Sequence, residues 1–271
     1  IGMLLILGQR AKASAERIYE ILDEPPAVDD RHDAVDLIPS GGGISFSDVS
    51  FAYGKEAVGG SQGSENAPLV LKHFNLDVSP GETIAIVGRT GSGKSTIARL
   101  LMRFYELQGG KISLDGNDIR SVTQASLRSA ISLVPDEPFL FSTSVHENIS
   151  YGKPNASRAE VEAAARAAQA HEFIVELEDG YDTVVGERGY DLSGGQRQRI
   201  SLARLFLSDP SVIILDDSTS AIDVEIEERI HGSLKELLRK RTTIVIAHRL
   251  STIALADRVV LVNDGQVIAD G

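Results

Sequence analysis

Gly88, Arg89, Thr90, Gly91, Ser92, Gly93, Lys94, Ser95 and Thr96 form an unbroken G-x-x-x-x-G-K-[ST] run, and the chemistry of such a run is the gripping of a polyphosphate. The glycines let backbone N–H groups curl around phosphate oxygens, Lys94 can bridge the β and γ groups, and the Ser95 hydroxyl is placed to bind Mg2+. A second group stands at residues 212–217, an apolar run ending in Asp216 and Asp217. A strand ending in carboxylates is the usual partner of a phosphate loop because it brings an anion to the metal, and Asp216 is the metal-side residue. A third is Leu192, Ser193, Gly194, Gly195 and Gln196, where serine and two glycines at a helix start make a further phosphate site.

Strand ends and helix starts must position these groups. Residues 83–87 read as a buried strand before the phosphate loop, and Ile97, Leu100 and Leu101 after it have helical spacing. The start of that helix adds a partial positive charge to the loop. Apolar strands at 212–215, 243–247 and 259–262, separated by helical spacing, predict a mainly parallel sheet covered on both faces. Asn263, Asp264 and Gly265 form a tight turn into 266–268. Phe74, Leu76 and Val78 alternate with polar residues as a half-buried strand does, and 44–51 is its partner. Ser157 to Glu160 has the form of a capping box and opens a helix through about residue 170. Residues 9–22 predict a helix with Ile18, Ile21 and Leu22 on one side, stopped by Pro25 and Pro26. The polar stretch 27–43 reads as linker, and 54–68, rich in Gly and Ser, as a flexible loop.

With 271 residues, 42% of them hydrophobic, the chain can bury a full core, and one domain plus an appendage is expected. A net charge of −12 argues against a general affinity for nucleic acid or anionic lipid, though a local basic patch stays open. Absence of cysteine excludes disulfides and thiolate metal sites. The apolar run 1–7 is too short to span a bilayer, which takes about 20 residues. It reads either as the cytoplasmic end of a transmembrane helix or as a strand or helix end packed on the domain.

From about residue 44 to its end the chain resembles the nucleotide-binding domain of an ABC transporter, on the phosphate loop, the Asp216 strand and above all the Leu192–Gln196 segment with Arg197, Gln198 and Arg199 behind it. The resemblance implies an α/β fold: a P-loop NTPase core of mainly parallel sheet, an N-terminal antiparallel β subdomain and an inserted α-helical subdomain at about 136–207. It implies ATP and Mg2+ as cofactors, and a second nucleotide-binding domain as partner, arranged head to tail so that Ser193, Gly194, Gly195 and Gln196 face the γ-phosphate of ATP held by the other subunit. Tyr53 would stack on adenine; by itself it reads as a surface aromatic. Ser220, Ala221, Ile222 and Asp223 resemble the loop joining the two ATP sites, although the same residues also read as a helix cap. His248 resembles the histidine that contacts the γ-phosphate and the attacking water.

Val185, Gly186, Glu187, Arg188 and Gly189 resemble a loop of the exporter branch that touches the membrane domain. Residues 14–18 and the apolar run before them resemble the exit from an exporter's last transmembrane helix, so residues 1–43 are expected to be that exit and a linker. The implied setting is the cytoplasmic face of the plasma membrane, with a transmembrane domain in the same chain. Phe139, Leu140 and Phe141 lie where the family receives coupling helices, and they also read as core. The rival readings are a soluble ABC ATPase acting on nucleic acid or ribosomes, and a nucleotide-binding regulatory module.

Two positions depart from the family pattern. Asp217 stands where the general base is normally Glu, one methylene shorter, and a base must come within hydrogen-bond reach of its water. Asp136, between Pro135 and Glu137, stands where a Gln normally ligates Mg2+ through its amide oxygen. A carboxylate there still offers an oxygen but adds a negative charge and removes the amide donors. Both departures resemble the degenerate-site half of a heterodimeric exporter, in which the chain's own site holds ATP and Ser193–Gln196 completes the partner's.

Overall fold

Alternation of apolar and polar residues at 44–51 and 71–78 builds an antiparallel ribbon. In the structure, a computed structural model that describes residues 2–54, 67–186, 192–247 and 249–271 (Leu4 and Leu5 by backbone alone), β1 (Ile44–Phe51) pairs with β2 (Leu71–Val78). Phe46 faces Leu76 across the ribbon, and its ring meets Phe74 edge-on at 5.6 Å. After β3 (Thr83–Val87), which belongs to a second sheet, β4 (Gly109–Leu114) pairs with the other side of β1 and with the short β5 (Asn117–Asp118). The remaining strands are β6 (Ile131–Val134), β7 (Val212–Asp216), β8 (Thr242–Ile246), β9 (Arg258–Asn263) and β10 (Gln266–Asp270). They form with β3 a six-stranded sheet in the order β10-β9-β3-β8-β7-β6, parallel except for the β9–β10 hairpin.

Successive side chains of a strand point to opposite faces, so the central strands feed two cores. Val212, Ile214, Ile244 and Ile246 join the core beneath the antiparallel sheet, whereas Ile213, Leu215, Val245 and Ala247 join a core made with helices. The near-continuous apolar runs follow from burial on both faces.

Helix α1 (Gly2–Leu22) runs through the apolar run and stops before Pro25, longer at its start than the 9–22 expected. The option that this run packs on the domain is not what is found: Met3, Ile6 and Leu7 are exposed. No helix among the described residues is long and apolar enough to cross a membrane. Helices α2 (Lys94–Leu101) and α3 (Gln124–Ala130) pack on the first core. Helices α4 (Val145–Ser150), α5 (Arg158–Ala167), α6 (His171–Val175) and α7 (Gly194–Ser208) form the helical region, and α8 (Val224–Leu238) and α9 (Leu250–Ile253) follow. Helix α5 opens with the expected capping box but ends earlier than residue 170, because Gln169 turns left-handed at φ 53°.

The 27–43 stretch is tied to the domain. Buried Arg103 donates to the Asp29 carbonyl at 2.6 Å and pairs with Asp30, while Asp115 accepts from the N–H groups of Ser40 and Gly43 at 2.7 and 2.8 Å. The expected loop at 54–68 lies, for residues 55–66, outside the described residues, as do Glu187, Arg188, Gly189 and His248.

Candidate functional site

β3 ends at Val87 and α2 starts at Lys94, so six residues carry the chain from strand to helix. Gly88 passes so close to the Val262 carbonyl that a Cβ would collide with it. Gly93, before the helix at φ 102°, would set a Cβ 2.9 Å from Leu71 Cδ2. Gly93 offers no side-chain cap and the first turn of α2 carries no acidic residue, so no side-chain acceptor competes for the leading N–H groups of the helix. Such a helix start is an anion site. It opens on a concavity of about 360 Å³ lined by Tyr53, Thr90, Gly91, Lys94, Ser95 and Arg99 among others.

Lys94 Nζ donates to the carbonyls of Gly88 and Arg89 at 2.9 and 3.0 Å, and the Arg89 carbonyl also accepts the Ser92 N–H. Burial lowers the Lys94 pKa, opposed by the charges of Asp216 and Asp217. Tyr53 is half-buried rather than a free surface aromatic: its ring stands edge-on to Phe51 and Tyr105 at 4.9 and 5.1 Å. Its hydroxyl lies 3.0 Å from Thr96 Oγ1 and accepts from Arg99 at 3.3 Å.

Ser95 Oγ donates to Asp216 Oδ1 at 3.3 Å, which joins the loop to the end of β7. Burial pushes the Asp216 carboxyl up; the Ser95 hydrogen bond opposes this, and the charges of Asp136 and Asp217 add to it. A carboxylate crowded by two others is one that a cation would relieve. Among the described residues no three His, Asp or Glu side chains gather to hold a metal alone. This suits Mg2+ in phosphate sites, which takes one or two carboxylates together with phosphate and water oxygens, so the Ser95 and Asp216 pair fits the ion.

The raised Asp216 pKa gives a stability prediction. The folded protein holds this proton to a higher pH than the unfolded chain does, so stability falls as pH rises through the window between the two pKa values, and the full penalty remains above it. Asp216→Asn keeps an acceptor for Ser95 and removes that penalty. Without nucleotide the variant is expected to melt higher than wild type at neutral pH and to show no gain below the unfolded pKa. Thermal melts across pH check this, and a variant that melts lower at pH 7 would contradict it.

Asp217, at φ 46°, has its N–H on the Ile246 carbonyl at 2.8 Å and its carbonyl under the Ser220 N–H at 3.1 Å.

Helix α7 starts with a reciprocal capping box: Ser193 Oγ accepts from the Gln196 N–H at 3.2 Å, and Gln196 Oε1 accepts from the Ser193 N–H at 2.7 Å. Gly194 and Gly195 pack on the 220–223 loop, where a Cβ on Gly195 would stand 2.8 Å from the Ala221 carbonyl. These residues open on a second concavity of about 640 Å³, lined by Asp136, Gly194, Arg197, Gln198, Ser220 and Ala221 among others. The two concavities share no lining residue. Asp136 lines the concavity at the helix start, where its Oδ1 accepts from Ser220 Oγ at 2.8 Å, while its charge still reaches Asp216 beside the phosphate loop.

Gln198 was named from the sequence only as a residue behind the signature, with no role of its own. It is 2% exposed and donates to the Asp136 carbonyl at 3.0 Å and to Ser220 Oγ at 2.8 Å, while its Oε1 accepts the Ala221 N–H at 2.9 Å. Its signal is a polar residue at helical spacing with Ser201, Leu202 and Leu205, on the buried face of α7.

A family model described as ABC transporter matches residues 71–220, a span that includes the phosphate loop, Asp136, the start of α7 and Asp216. The chain belongs to the ABC transporter family. It is 46% identical over 263 residues to an ATP-dependent lipid A-core flippase of Desulfotalea psychrophila, covering 97% of this chain and 44% of that protein. It is 44% identical over 263 residues to the heavy metal tolerance protein of Schizosaccharomyces pombe, covering 97% of this chain and 30% of that one. Among solved structures, a bacterial Atm1-family ABC exporter with ATP bound matches with a TM-score of 0.90 and 39% identity, over 100% of this chain and 45% of that one. The chain spans less than half the length of each of these relatives. The resemblance to an ABC exporter's nucleotide-binding domain and the expected α/β fold are therefore both borne out. In ABC terms, the concavity at Gly194 adjoins the signature segment, and the one at Lys94 is that of the phosphate loop.

Proposed function

We propose that this chain binds and hydrolyses ATP to power export of a substrate across a membrane, and that its own ATP site turns over slowly. The observation that carries the reading is that the signature glycines Gly194 and Gly195 pack on Ala221 of the 220–223 loop, and that Gly194 lines a concavity other than the one at Lys94. A signature that lies apart from its own phosphate loop is suited to a nucleotide held by another domain. The partner is a second nucleotide-binding domain, arranged head to tail.

In this reading Gly88, Arg89, Thr90, Gly91, Ser92, Gly93, Lys94, Ser95 and Thr96 hold the phosphates, and Tyr53 stacks on adenine. Ser95 and Asp216 hold Mg2+, whose bound charge would neutralise phosphoryl oxygens. Asp136 would first have to exchange its Ser220 hydrogen bond for the metal. Asp217 is the base that accepts the water's proton, and His248 contacts the γ-phosphate. Ser193, Gly194, Gly195 and Gln196 serve the partner's ATP. The shortened base and the carboxylate at 136 both weaken the chain's own site, which supports a heterodimer in which the partner does most of the hydrolysis.

Coupling to the membrane domain uses the face around Phe139 and Phe141. Leu140 is fully buried, but these flanking rings are exposed, and Phe141 stacks on Tyr151 at 4.6 Å. Arg204 of α7 bonds the Phe139 and Asn148 carbonyls at 2.8 and 2.6 Å, which ties this face to the helix. Phe104, Phe139, Phe141 and Tyr151 line a concavity of about 470 Å³ there, which suits a helix end from the membrane domain. Helix α1, with its apolar residues exposed, fits the continuation of a transmembrane helix at the cytoplasmic face of the plasma membrane. The test is ATPase activity of the assembled transporter. Asp217→Ala is expected to leave most of the turnover, and a loss as complete as that from mutating the partner's base would refute the unequal-site reading.

A further inference from the structure

We infer that Glu227 and Arg249, a pair outside both concavities, are positioning residues that hold the 217–223 loop in the shape required at its two ends. The inference rests on the proposed function, since the loop carries Asp217 at one end and abuts the signature at the other.

Glu227, in α8, is 3% exposed. A lone carboxylate buried there would be costly. It accepts from Thr219 Oγ1 at 2.8 Å, from Arg249 Nη1 at 2.9 Å and from Ser251 Oγ at 3.2 Å. Burial pushes its carboxyl up, but these donors outweigh it and hold the group below the ordinary range. Arg249 then reaches the loop itself, donating Nη2 to the Ser220 carbonyl at 2.6 Å and Nη1 to the Ile222 carbonyl at 3.4 Å. Those carbonyls flank Ala221, the residue whose own carbonyl limits the approach of Gly195. The Ser220 N–H in turn bonds the Asp217 carbonyl at 3.1 Å.

The contacts therefore run without a gap: Glu227 fixes Arg249, Arg249 fixes residues 220 and 222, and these set Ala221 against the signature and Asp217 at the end of β7. Apolar residues of similar volume serve stability as well as a buried ion pair does. They cannot hold two carbonyl oxygens at set points, which a planar guanidinium can.

The test uses the double variant Glu227→Met and Arg249→Met, which leaves no unpaired buried charge, beside Arg249→Lys. Melting temperature, ATP affinity, the KM and kcat of ATP hydrolysis, and amide exchange of residues 220–222 are measured. These amides are bonded in the native loop, to Asp217, Gln198 and Thr219, so exchange reads the loop directly. Expected for the double variant are a melting temperature within a few degrees of wild type, ATP affinity and KM within about twofold, exchange at least about 10-fold faster, and kcat lowered about 10- to 100-fold. Arg249→Lys should recover only part of the loss, because it lacks the planar fork.

Unchanged exchange overturns the inference, and so does a kcat that falls only in proportion to lost folded protein. Should the double variant melt far lower, Glu227→Gln keeps an acceptor for Thr219 and Ser251 and supplies the same readouts. A wild-type chain that fails to bind ATP would instead overturn the proposed function, and the exchange measurement would still decide whether the pair holds the loop.

Discussion

Asp217→Glu is expected to speed hydrolysis at the chain's own ATP site by about 10- to 100-fold with KM nearly unchanged, the size of effect that about 1 Å of misplacement has on a reacting group. The backbone at this position has little freedom to compensate for a short side chain. Its N–H is bonded to Ile246 and its carbonyl to Ser220, and φ is 46°. The carboxylate therefore ends one methylene short of a Glu, and if Asp217 is the base, as proposed, reach to its water is what the substitution restores. A small penalty accompanies it, since Asp tolerates the left-handed region better than Glu does. Steady-state hydrolysis at saturating Mg-ATP, in an assembly whose partner base has been mutated so that only this site turns over, is the measurement, with a melt beside it. Turnover that stays level or falls would show that reach is not what limits this site.

The second large effect is expected from Lys94→Met, which should weaken ATP binding about 100-fold while leaving the empty protein's melting temperature within a few degrees. Two opposing terms explain the small stability change. The substitution loses the bonds from Nζ to Gly88 and Arg89, and it removes the cost of a buried ammonium. That cost is present below the folded pKa of Lys94 and is relieved as pH rises toward the unfolded value, so the variant compares best with wild type at neutral pH. In a thermal-shift assay, ATP at about 100 times the wild-type Kd stabilises wild type by about 2.7 kcal/mol, and the variant by only about 0.4 kcal/mol. An ATP-induced shift equal to wild type's would remove Lys94 from the binding set.

Short strands were the least legible part of the fold. β4 begins with two glycines and pairs across a β-bulge, so it lacks the alternation that marks β2. β6 has four residues and follows α3 with no intervening turn, Ile131 being both the residue after the helix and the first of the strand. Nothing in a local pattern announces such a junction. The long buried strands, by contrast, were legible because burial on both faces leaves an apolar run that few other elements produce.

For the site, the same division holds between chemistry and placement. Local sequence determined the phosphate loop, because glycine geometry and a helix start act within a few residues of one another. It also determined the carboxylates after β7 and the capped start of α7, whose box is closed by residues three apart. What only the tertiary structure decided is which of these groups share a concavity. Asp136 is 84 residues from Ser220 and Gln198 is 62 from Asp136, yet they bond directly. Glu227 and Arg249, 22 apart, reach the loop between the two concavities. Such contacts depend on how α7, α8 and the sheet pack, and packing of distant elements has no short-range signature. The sequence therefore determined the form of the phosphate loop, while the fold decided that the signature glycines pack on the 220–223 loop instead.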